Sequence, residues 1–199
     1  MKTESPQTAP EALPPRMGPI APERMTDAQK AAVAEMTAGE RGSLTGSYVP
    51  IMRSPGLMHP LQKVGEYFRF QCGLEPRLKE MAALMAARLW TQQYVWEAHT
   101  RAALKCGLSI AIMEAIAEGR RPEVMSEDEH IVYDFFTELF ANKSVSDATY
   151  SRAAAQLGEE GLIDILGLAG YYASVAMILN VARTPPAGVS QVPLKPLPR

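Results

Sequence analysis

The sequence predicts an all-α fold, and three observations carry that expectation. Alanine, leucine, methionine and glutamate dominate the middle of the chain; no segment alternates apolar and polar residues over a strand's length; and capping residues recur ahead of apolar residues spaced three and four apart. At 199 residues the chain is long enough for one substantial core, so one domain is the starting assumption. A net charge of -2 supplies no field to attract nucleic acid or an anionic membrane, and neither is expected as a partner.

The elements follow in order. Residues 1–22 are proline-rich, from Pro6 and Pro10 to Pro22, and have little to bury, which predicts an extended or disordered arm. The helical domain is then expected over 23–184. Thr26 ahead of Asp27 caps a helix running to about Thr37, with Gly39 ending it. Gly42 to Ser54 reads as loop. Pro55 opens a helix through Leu61, Val64, Phe68 and Cys72, and Gly73 stops it. Pro76 fits a first turn, and the stretch from Met81 to Trp90 is apolar nearly all round, as a central buried helix is. After a break near Thr91, Gln92 to Cys106 forms the next helix, ended by Gly107. Ser109 caps a short helix to Glu118, and Ser126 with Glu129 makes a capping box ahead of Val132, Phe135 and Phe136. Ser146 opens a helix to Leu157, and a long apolar helix covers about Glu160 to Ala182. Residues 185–199 form a second proline-rich tail.

The helix Gln92–Cys106 carries the most chemical information. At helical spacing Val95, Trp96, His99, Ala102, Ala103 and Cys106 share one face, while Gln93, Glu97, Thr100, Arg101 and Lys105 mostly share the other. His99 therefore sits on an apolar stripe, and histidine is the side chain suited to moving protons near neutral pH. By periodicity alone, a core histidine bonded to a backbone carbonyl is favoured over a catalytic one. Glu80 stands in the first turn of the preceding helix, where the helix dipole favours a carboxylate whether or not it has a function. From Glu80 to the break is about eleven residues and from the break to His99 about eight. At a rise of about 1.5 Å per residue, the two side chains would differ in height by about 4 Å if the helices fold back on each other. Contact in a partly enclosed pocket is therefore expected, with Trp96 on its wall. Arg53 precedes Ser54-Pro55 and becomes of interest if the ligand is a carboxylate, which a guanidinium holds in bidentate fashion. His59 and His130 lie in polar surroundings. No histidine pair has metal-ligand spacing, no C-x-x-C exists, and no nucleotide loop or G-x-S-x-G is present, so neither metal nor cofactor is expected. Cys72 and Cys106 make no disulfide framework, the N-terminus has no apolar signal region, and a cytoplasmic setting is expected.

Taken together, Arg53-Ser-Pro-Gly-Leu57, Gly65-Glu-Tyr-Phe-Arg-Phe70, Pro76-Arg-Leu-Lys-Glu80, Tyr94-Val-Trp-Glu-Ala-His99 and the following Ala102 to Leu108 resemble the carboxymuconolactone decarboxylase family. The resemblance covers roughly residues 16 to 185. It implies the all-α fold of the alkylhydroperoxidase D proteins, assembly as a homo-oligomer (trimer or hexamer), and a small-molecule substrate. In the peroxidase-type branch a glutamate precedes a C-x-x-C pair, and a histidine follows four residues after the second cysteine. Glu80 and His99 match the glutamate and the histidine, whereas the cysteine positions fall on Gln92 and Val95, so no dithiol can form there. Members without the cysteines read Y-E-W-x-x-H; Tyr94, Trp96 and His99 are kept, and Val95 replaces that glutamate. The activity implied is a cofactor-independent carboxy-lyase acting on a small carboxylated lactone or ring-cleavage product. Its catalytic residues would be His99 and Glu80, with Arg53, Tyr94 and Trp96 binding substrate. An alkylhydroperoxidase-like antioxidant protein is one alternative, disfavoured by the missing C-x-x-C, and a non-catalytic oligomeric binding protein is another.

Overall fold

The structure is a computed structural model that describes residues 14–44 and 46–195. The described residues form eight α-helices and no strand. They are α1 (Asp27–Ala38), α2 (Tyr48–Ile51), α3 (Pro55–Glu66), α4 (Pro76–Trp90), α5 (Gln93–Lys105), α6 (Ile110–Glu118), α7 (Glu127–Asn142) and α8 (Asp147–Ala182). The helix starts follow the capping chemistry of the sequence. Thr26 and Gln29 close a capping box on α1, Ser126 and Glu129 close another on α7, and the Ser146 side chain accepts from the Thr149 amide at the start of α8.

Helix α4 is the axis of the bundle. Leu78 and every residue from Met81 to Arg88 are buried, and α5, α6, α7 and α8 all pack on it. Methionine, alanine and leucine line most of this helix and belong to the larger of two apolar clusters, which also takes in Trp96, Phe136, Ile165 and Leu179. A smaller cluster of Met36, Tyr48, Ile51, Met52 and Met58 holds α1, α2 and α3 together. Helix α4 ends where Thr91 adopts the left-handed conformation (φ 48), and the Gln92 amide reaches back to the Ala87 carbonyl at 2.9 Å. The Gln92 side chain then accepts from the Val95 amide, which starts α5 immediately and folds it back along α4.

Three details differ from expectation. The segment read as loop from Gly42 to Ser54 contains the short helix α2, whose Tyr48, Pro50 and Ile51 are buried. The two helices expected after Ser146 run on as α8 with a change of direction at Gly158 (φ 68, ψ 172), a conformation that costs glycine little. Helix α8 is long and apolar enough to cross a membrane, yet 44% of its most apolar window is buried within the protein, as suits a core helix. Finally, the C-terminal tail packs. Residues 185–195 lie over α5, burying Val192 and Leu194. The Val192 carbonyl accepts from Trp96 Nε1 at 2.7 Å, the Leu194 carbonyl from Gln93 Nε2 at 2.5 Å and the Lys195 carbonyl from Arg88 Nη1 at 2.6 Å. The expected N-terminal arm falls partly outside the described residues. Of the described part, Arg16 donates its amide to the Ala182 carbonyl, and a short 3-10 turn at Pro22–Arg24 leads toward α1.

Candidate active site

The fold-back at Thr91 brings the second turn of α4, where Glu80 stands rather than in the first, beside the second turn of α5. His99 Nδ1 lies 2.6 Å from Glu80 Oε2, and the two side chains are 16% and 19% exposed, so the pair is shielded but reachable. With Nδ1 held by the carboxylate, Nε2 is the nitrogen left for a ligand. Both residues line a cavity of about 480 Å³ bounded by α3, α4, α5 and α8 and by the loop before α2. Tyr172 of α8 meets the imidazole edge-on, with ring centroids 4.4 Å apart, and Tyr171 continues the aromatic wall at 5.0 Å from Tyr172. Burial, followed by the neighbouring Tyr171 and Glu80, pushes the Tyr172 hydroxyl well above its ordinary range, so it remains a proton donor at neutral pH.

Charge in the cavity is lopsided. Arg41, Arg69, Lys79 and Arg101 line it against the single carboxylate of Glu80. Lys79 donates to the Phe68 and Cys72 carbonyls at 3.3 Å each, closing the π-helical turn Tyr67–Gln71 that follows α3. That wider turn carries Phe68 and Arg69 to the cavity. Cys106 also lines the cavity, two helical turns after His99. Burial and then the Glu80 charge raise its thiol, which therefore stays protonated at neutral pH. Among the described residues no group of three metal-ligating side chains comes together.

The remaining expected site residues fall as follows. Tyr94 lines the cavity. Trp96 does not: it is fully buried on the far side of α5, where its indole nitrogen is spent on the tail carbonyl of Val192. Arg53 does not either. Its guanidinium donates to the carbonyls of Gly18 at 2.8 Å and Val49 at 3.1 Å, and so ties the N-terminal segment to α2. The polar face of α5 is partly covered, since Glu97 and Thr100 are buried beneath the tail. Glu97 Oε2 accepts from the Gly188 amide and Thr100 meets the Ser190 hydroxyl. Arg41, Tyr171 and Tyr172 were missed by sequence reasoning. The two tyrosines read as part of an apolar helix, and Arg41 comes from a glycine-flanked segment whose path the sequence does not specify.

No family model matches the sequence, and no curated protein matches it. Solved structures do match. An AhpD-like putative antioxidant defence protein from Agrobacterium tumefaciens is 18% identical, with a TM-score of 0.61 over 69% of this chain and 94% of that one. An uncharacterized peroxidase-related protein with an alkylhydroperoxidase AhpD core, from Ralstonia eutropha JMP134, is 11% identical at a TM-score of 0.68, covering 86% of this chain and 92% of that one. A debrominase solved in complex with 2,3,4-tribromopyrrole is 13% identical at 0.64, covering 88% and 93%. These likenesses establish the architecture: the chain has the AhpD-like all-α fold.

Proposed function

We propose that the protein is a cofactor-independent acid–base enzyme, a carboxy-lyase acting on a small carboxylated lactone or ring-cleavage product, with His99 as the proton donor and Glu80 as its partner. The observation that carries this reading is the 2.6 Å contact between His99 and Glu80 on the wall of a cavity whose other charged side chains, Arg41, Arg69, Lys79 and Arg101, are all cations. A carboxylate on Nδ1 fixes the imidazole's orientation, leaving Nε2 directed to the ligand.

The chemistry follows from that arrangement. The bond between the ring carbon and the departing carboxylate breaks, carbon dioxide leaves, and the electron pair is delocalised through the adjacent double bond onto the lactone carbonyl. The Tyr172 hydroxyl, which keeps its proton, donates to the developing enolate oxygen. Nε2–H of His99 delivers one proton to carbon, and the imidazole is reprotonated from solvent. Thiol-based peroxide reduction is the weaker reading: Gln92 and Val95 occupy the two sulfur positions, the Gln92 side chain is used as a helix cap, and Cys106 stands alone with a raised thiol. Incubation of the purified protein with carboxylated γ-lactones, followed by measurement of carbon dioxide, tests the proposal. Release with turnover is expected. Saturable binding without release would instead favour a binding protein built on the same cavity.

A further inference from the structure

We propose that Arg41, with the Tyr171 hydroxyl beside it, forms a carboxylate subsite in the cavity that also holds His99. The inference rests on the acid–base reading for the reaction but not for the binding it describes. Four observations converge. Arg41 lines the cavity and is half-buried, and its Nε is a buried atom with no hydrogen-bond partner. Its guanidinium stacks on the Tyr48 ring with 5.1 Å to the centroid, and no carboxylate lies within ion-pair distance of it among the described residues. A cation so placed has lost water without gaining a counter-charge, which is the condition a bound anion relieves. Tyr171 supplies a second group: its hydroxyl bonds Tyr48 at 2.8 Å, and the two tyrosines are otherwise buried.

Gly65 shows that the approach is built rather than incidental. A Cβ at this position would collide with both Arg41 Nη2 and the Tyr171 hydroxyl, so α3 carries glycine where these two groups converge. The other cations of the cavity differ. Arg69 and Arg101 are exposed, and Lys79 is committed to the Phe68 and Cys72 carbonyls. Arg41 shares the wall with Tyr171 and Tyr172, whose rings adjoin each other and then the His99 imidazole. That wall fits a flat, conjugated ligand with its carboxylate at Arg41 and its reacting carbon before Nε2. The carboxylate held at Arg41 is one that survives the reaction, because a guanidinium on the departing group would stabilise the bound ground state above the neutral carbon dioxide being formed. A substrate that is decarboxylated here therefore carries a second acidic group.

Benzoate and its neutral isostere benzamide probe the subsite directly by calorimetric titration of the full chain. Wild type is expected to bind benzoate about tenfold or more tightly than benzamide, the scale of a hydrogen bond to a charged group. Arg41→Gln should reduce benzoate binding to the level of benzamide, Arg41→Lys should retain part of the preference, and His99→Gln should bind benzoate as wild type does. Equal binding of benzoate and benzamide by wild type, undetectable binding of both, or benzoate binding unchanged in Arg41→Gln would overturn the subsite. The wild-type comparison needs no variant, so a folding defect in Arg41→Gln leaves the test intact. Loss of the benzoate preference with His99-dependent turnover preserved would remove the subsite and leave the acid–base reading standing; the reverse pattern would do the opposite.

Discussion

Glu80 and His99 stand nineteen positions apart in sequence and 2.6 Å apart in space, and each depends on the other. The carboxylate orients the imidazole, and the imidazole gives a partner to a carboxylate that is four-fifths buried. Replacing Glu80 by glutamine keeps the shape and removes the charge. It is expected to lower turnover by about 10- to 100-fold, below the full range of general acid–base catalysis because His99 remains, and steady-state kinetics on an identified substrate would show it. An unchanged rate would assign the pair to structure alone. Cys106 gives a second prediction at this scale. Its thiol is raised by burial and by Glu80, so alkylation by iodoacetamide should be slow at pH 7 and accelerate only above the ordinary thiol range, about 8.5. Fast labelling at neutral pH would contradict the protonated state described above. Both members of the pair were legible in the sequence because His99 lies on an apolar stripe and Glu80 lies on the preceding helix at a similar distance from the break at Thr91. Arg53 was not assigned correctly because an arginine before proline says nothing of which carbonyls its guanidinium will meet.

At the scale of the elements, the tail is the surprise. Its prolines argue against burial, yet Ser190, Val192 and Leu194 stand two apart, the period of an extended segment with one face turned inward. The signal was present but short, and composition outweighed it. If the tail clamps α5, Leu194→Ala should destabilise the protein by about 2 to 4 kcal/mol, seen as a lower urea midpoint with an unchanged slope. No shift would mean that the tail contributes nothing to holding α5. Helix α7 carries a separate expectation. Burial alone would raise Asp128, but the Ser126 hydroxyl and Arg77 outweigh it and hold the carboxyl below its ordinary value. Asp134 is likewise held low against its burial by Arg121 and Arg152. A carboxylate depressed in the folded state contributes stability above its unfolded value of about 3.9 and loses it as pH falls through the lower folded value. Thermal midpoints should therefore drop below about pH 4, and Asp128→Asn should flatten that part of the profile. An identical acid limb in wild type and variant would refute the contribution.

For the whole molecule, the all-α architecture followed from helix caps and periodicity, since each cap lies within a few residues of the helix it starts. The cavity did not follow, because it is assembled from four helices and a loop whose arrangement depends on packing around α4. Helix α8 leaves apolar side chains in the open, with Ile163 68% and Val181 58% exposed, while Leu57 on α3 is 48% exposed. Surfaces of this kind favour association, and light scattering at micromolar concentration is expected to give a multiple of the 21.7 kDa chain mass. A single-chain mass would show that these side chains stay in water.

The most direct test of the acid–base assignment is the rate of carbon dioxide release from a carboxylated lactone substrate by His99→Gln relative to wild type, under single-turnover conditions with enzyme in excess. Glutamine retains a hydrogen-bonding group at that position but cannot deliver a proton from Nε2. The account predicts a fall of about 100-fold or more with substrate binding retained. A variant rate within about twofold of wild type would contradict it.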